Sequence, residues 1–185
     1  PASLIKENIV MNSEAQNVLR DIILKSRAYK ELLGVILDNG KIAPGYIYKY
    51  RNLVGISTEH EFNNEIISKT AEQALSLGYL VDSIHLENLA GGYEKIINML
   101  ISQMTQELLQ IRHTRQRTQS QQSTSKPILL VETKRILTKQ GEIISLAEQV
   151  TSYYDTVPTI KAQIASKSLW TCQLLAQFLL FFRHI

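Results

Sequence analysis

Glu132 and Lys134 form an E-x-K pair behind the apolar run 128–131, and Gln149 and Tyr153 follow in Q-x-x-x-Y spacing. Read as a strand followed by a helix, such a set could cleave a phosphodiester. A carboxylate would hold a divalent metal while a lysine ammonium steers the attacking water. A hard cation needs several oxygen ligands, and residues 108–131 contain no Asp or Glu. In the plainer reading the run opens a helix with a solvated Glu–Lys pair. Elsewhere, His60, His85, His113 and His184 have no ligand-like spacing, and Gly91-Gly92 lacks the flanks of a phosphate loop. The single cysteine, Cys172, can form neither an intramolecular disulfide nor a cysteine-based zinc cage. No catalytic residue, metal ligand or cofactor is assigned, and the chain is expected not to be an enzyme.

Charge gives a second chemistry. Arg112, Arg115, Arg117, Lys126, Lys134, Arg135 and Lys139 stand against Glu132 alone, +6 in a chain of net charge +3. Cations that meet phosphates release counterions, giving salt-dependent binding with little base specificity. Tyr48, Lys49, Tyr50 and Arg51 interleave rings with cations, a pattern suited to stacking on bases while contacting phosphate. Lys25, Arg27 and Lys30, on a polar helix face with Arg20, extend the basic surface. The expected partner is nucleic acid, duplex DNA in the first place, bound through its backbone. A solvated linker, and tyrosines that pack a loop on its neighbours, would explain the same residues. Residues 59–107 hold eight acids and two bases, so neighbouring copies could meet through complementary surfaces as a homo- or hetero-oligomer of helical subunits.

Positioning these groups falls to helices. Hydrophobic content of 44% excludes disorder, and four prolines in 185 residues leave room for long elements. Apolar periodicity predicts an all-α chain with helices over 13–39, 59–78, 93–117, 128–156 and 159–183. Ser13 with Gln16 and Thr58 with Glu61 have capping-box spacing. Residues 2–11 read as a helical extension or an arm, and Asn39-Gly40 as a helix stop. Tyr46, Tyr48 and Tyr50 alternate as in a short strand or extended linker, and 79–90 reads as a short helix or turn. The polar segment 118–126 divides an N-terminal part, 1–117, from a C-terminal helical pair, 127–185, which are expected to share one core.

The segment 169–182 is apolar, but it is short of the roughly 20 residues that span a bilayer, and Thr171, Gln173 and Gln177 interrupt it. It is read as a core or interface helix, with Leu174, Leu175, Phe178, Leu179, Phe181 and Phe182 as interface residues. Contact with lipid or an outer layer is the other use of such a helix. No signal peptide opens the sequence, so an intracellular or virion location is expected rather than secretion by that route.

Two family resemblances follow. The E-x-K and Q-x-x-x-Y residues resemble the pattern of RecB-type exonucleases, from which the missing upstream Asp departs. That resemblance implies a metal nuclease or an inactive derivative. In size, helix length and charge layout the chain is similar to the helical coat proteins of filamentous archaeal viruses. That resemblance implies a self-assembling nucleocapsid subunit wrapped around duplex DNA. A helical adaptor or scaffold, docking a protein through its apolar C-terminal helix, is the alternative.

Overall fold

The first helix, α1 (Ala2–Ser26), begins well before Ser13, so the capping box expected there does not form. Gln16 instead donates from Nε2 to the Val54 carbonyl at 2.9 Å. In this computed structural model the backbone is described over residues 2–37, 41–120 and 126–183, and side chains over 11–37, 41–113 and 141–182. Helix makes up 81% of it, and the all-α class read from the periodicity is the one adopted. Two compact units, Pro1–Gly92 and Tyr93–Ile185, divide the chain. The polar linker expected at 118–126 falls largely on residues whose structure or side chains lie outside that description.

In the first unit, the helix expected to run to residue 39 stops at Arg27, whose φ of +53° lies in the left-handed region. One helical turn, α2 (Tyr29–Leu32), precedes a hairpin in which β1 (Gly34–Ile36) pairs antiparallel with β2 (Ile42–Pro44). Leu32, Leu33, Ile36 and Leu37 fit a helical period, but Val35 and Ile36 are β-branched and Gly34 takes a φ of +123°. Few residues but glycine adopt that angle. The Asn39-Gly40 stop lies outside the described residues.

Gly45 then passes so close to α2 that a Cβ there would sit 2.4 Å from the Leu32 carbonyl oxygen. Its N–H donates to the Leu33 carbonyl at 2.9 Å. This close passage ends the strand, and a 3₁₀ helix (Ile47–Val54) follows where tyrosine alternation suggested an extended segment. Ile47, Tyr48 and Val54 pack on the core, a helical spacing rather than a period of two.

Thr58 caps the next helix as its spacing predicts, accepting from the Glu61 N–H at 3.1 Å, while the Glu61 carboxylate accepts from the Ser57 N–H at 2.9 Å. That helix is α3 (Glu59–Phe62), a π segment (Asn63–Ser68) and α4 (Lys69–Ser76) in succession. Arg20 of α1, only 7% exposed, donates to the π-segment carbonyl of Glu65 at 2.6 Å. Ser68 donates to the buried Glu87 carboxylate at 3.1 Å. Glu87 belongs to α5 (Leu80–Ala90), an eleven-residue helix where a short helix or turn was expected. Ile23, Leu33, Phe62, Ile66 and Leu86 centre the core. Each such burial contributes about 1.5–3 kcal/mol.

The second unit is built from α6 (Tyr93–Ser120), α7 (Lys126–Thr156), α8 (Pro158–Lys161) and α9 (Ser166–Arg183). Helices α6, α7 and α9 pack pairwise. Buried Ile96, Ile97, Leu100 and Met104 of α6 and Ile143, Ile144 and Ala147 of α7 carry the apolar faces that the sequence pattern marks. Because α7 is helical from residue 126, the strand imagined ahead of Glu132 does not exist. The single helix expected over 159–183 is two, because a new helix start forms at residues 165–168.

Candidate interaction surface

At about 100° per residue, α9 carries two apolar stripes on opposite sides. Leu169, Cys172, Ala176 and Leu179, spaced 3-4-3, are buried in the second unit. Trp170, Leu174, Phe178 and Phe181, spaced 4-4-3, are exposed at 72%, 47%, 48% and 61%. Leu175 and Phe182 are half-buried at the margin, and the Phe182 ring meets that of Phe181 edge-on at 5.8 Å. The residues assigned to an interface therefore separate. Leu179 is in the core, while Leu174, Phe178 and Phe181 face outward. Trp170, the most exposed member, was not among them, although its spacing to Leu174 carries the signal.

The helix is fixed at its start by Glu94 of α6, which accepts from the Ala165 N–H at 2.9 Å and from the Ser168 hydroxyl at 2.6 Å. A carboxylate there satisfies an orphan N–H and opposes the positive end of the helix dipole. Buried among apolar groups, the Cys172 thiol is pushed up to about 11, which keeps it protonated and unreactive near neutral pH. Burial likewise raises the Tyr154 hydroxyl, with the Tyr93 ring edge-on at 5.4 Å.

Several of the proposed nucleic-acid contacts are engaged within their own unit. Lys25 pairs with Asp21 at 3.6 Å. Arg27 pairs with Asp82 at 3.5 Å and lies 4.7 Å over the Tyr79 ring. Lys30 and Lys49 are exposed, as is Tyr50. Tyr48 instead packs edge-on against Phe62 at 5.4 Å, and Arg51 lies 4.3 Å above the Tyr48 ring while donating to its carbonyl at 3.1 Å. Those two side chains are thus held by their own unit. Arg112 is exposed on α6. The side chains of Arg115, Arg117, Lys126, Lys134, Arg135 and Lys139 lie outside the described residues, as do those of Glu132 and its neighbours. Gln149 donates to Ser145 at 3.1 Å, and Tyr153 is exposed. Among the described residues no cluster of His, Cys, Asp or Glu could hold a metal ion, and no helix is long and apolar enough to cross a membrane.

The sequence matches a known family along nearly its whole length. The sequence model of Nup93/Nic96 matches residues 7–185. The chain belongs to the Nup93/Nic96 family. It is 32% identical over 91 residues to the Meiotically up-regulated gene 87 protein of Schizosaccharomyces pombe, covering 49% of this chain and 11% of that protein. It is 32% identical over 90 residues to Nucleoporin NIC96 of Saccharomyces cerevisiae, covering 49% and 11%. Nucleoporin NIC96 of Chaetomium thermophilum is 28% identical over 82 residues, covering 44% and 7%. The matched region thus spans about a tenth of the length of these relatives.

Membership of the Nup93/Nic96 family corrects the functional expectations. The family is structural rather than enzymatic, which agrees with the absence of an assigned catalytic residue. It overturns the coat-protein and RecB-type resemblances, and with them nucleocapsid, nuclease and adaptor functions and the nucleic-acid and coat partners. The charge layout and helix length that suggested a coat subunit are properties of long helices in general, with no diagnostic residue behind them. Of the two expected locations the intracellular one stands and the virion does not.

Proposed function

We propose that this chain is a structural segment of a nuclear-pore scaffold that assembles with other nucleoporins through helix faces. The observation that supports this reading is the double apolar character of α9. One stripe completes the core of its own unit, and the other offers Trp170, Leu174, Phe178 and Phe181 to a further helical layer. An apolar patch of this kind marks a contact surface rather than a solvated face, and large aromatic residues dominate such contacts.

The test is imaging of the tagged protein in cells, as wild type and as Trp170→Ser/Phe178→Asp. Signal at the nuclear rim for wild type, and diffuse signal for the variant, is the expected result. In urea melts of the chain, the outward substitutions should cost no more than about 0.5–1 kcal/mol, whereas the neighbouring buried Leu179→Ala should cost about 2–5 kcal/mol. A wild type without rim signal, or a variant that keeps it fully, refutes the reading.

A further inference from the structure

Helix α1 also has two faces. Inward, Ile23 is fully buried, Leu19 packs against the core, and Arg20 and Gln16 bond to the unit's own carbonyls. Outward, Met11, Ala15, Val18 and Ile22 line up at 4-3-4 spacing, the a/d repeat of a coiled-coil seam. Met11, Val18 and Ile22 are 67%, 59% and 51% exposed. The seam has one closed edge, toward Leu19 and Gln16, and one open edge, where Glu14 and Asp21 stand one position before each a residue.

We propose that this seam docks an amphipathic helix of another protein whose flank carries Lys or Arg opposite Glu14 and Asp21. The charge on the open edge selects the occupant. A second copy of this chain, paired antiparallel about Val18, would bring Glu14 of one copy against Asp21 of the other, twice. A parallel copy would need the edge that the unit's own core already covers. A helix with basic flanking positions meets neither obstacle and gains complementary pairs along the acidic edge. Lys25, which Asp21 already holds at 3.6 Å, ends the seam. This surface belongs to the first unit and does not rest on α9, so either reading can fail alone.

The test uses the 185-residue chain and two synthetic helices of about 21 residues with Leu at a and d, one with Lys and one with Glu at e and g. Fluorescence anisotropy at low and moderate salt measures binding. The Lys helix should bind, with affinity that falls as salt rises. Val18→Asp should weaken it at least about tenfold by placing a charge in the apolar seam. Glu14→Lys/Asp21→Lys should reverse the preference in favour of the Glu helix. Val18 and both acids are exposed, so unchanged circular dichroism is expected of all variants. Equal binding of the two helices, binding that Val18→Asp leaves intact, or no binding of either helix overturns the proposal. So does a dimer of the wild-type chain in sedimentation that Val18→Asp abolishes, since the occupant would then be a second copy.

Discussion

The Glu94 carboxylate and the Ser168 hydroxyl, 74 positions apart in the sequence, meet at 2.6 Å, and the same carboxylate takes the Ala165 N–H at 2.9 Å. One side chain on α6 thereby sets where α9 begins, and so which of its residues face inward. Glu94→Ala should destabilise the second unit by about 1–2 kcal/mol, the loss of a helix cap together with its dipole interaction. Glu94→Gln, which retains an acceptor oxygen, should cost less. Urea denaturation followed by circular dichroism gives the order; equal stability of wild type and Glu94→Ala would remove the cap from this account.

Arg27 poses a competition of small terms. Its left-handed backbone costs roughly 1 kcal/mol relative to glycine. The half-exposed Asp82 bridge returns about 0–1 kcal/mol, and the cation–π contact with Tyr79 about 0.5–1 kcal/mol. Arg27→Gly should therefore lie within about 1 kcal/mol of wild type, losing contacts but shedding strain. Arg27→Ala keeps the strain and loses the contacts, so it should be the less stable of the two. Thermal melts of the pair decide the matter, and the opposite order would mean that the left-handed backbone at this position carries no strain.

What the sequence made legible follows from the range of the forces involved. Thr58 is a local cap, and its partner lies three residues away, so its role was readable. The buried faces of α6 and α7 recur every three or four residues and were readable for the same reason. The end of α1 was not. Leu32, Leu33, Ile36 and Leu37 satisfy a helical period, but the helix stops at the left-handed Arg27, and residues 34–36 pair instead with 42–44. The break ahead of α9 was equally hidden, because the group that starts that helix is Glu94. On the surface, periodicity located the apolar residues of α9 but could not divide Leu179 from Phe178, since both stripes of a two-faced helix are apolar. The excess of cations in 112–139 was a true feature of the sequence, yet charge composition alone carries no partner identity.

Cys172 offers a pH-dependent readout of the α9 core. Burial raises its thiol from an ordinary value of 9.0 to about 11. Between those values the unfolded chain gives up the thiol proton while the folded one keeps it, so the unfolded state binds fewer protons and stability falls as pH rises. The contribution is intact below about pH 9 and is lost progressively as pH climbs through 11. Cys172→Ala should remove this component of the alkaline slope while costing some packing at every pH. At pH 8 the native thiol should react with a disulfide reagent far more slowly than in urea, because it is both protonated and covered. Reaction at the same rate with and without urea would show that the inner stripe of α9 is open to solvent. The two-faced reading of that helix would then fail at its buried side.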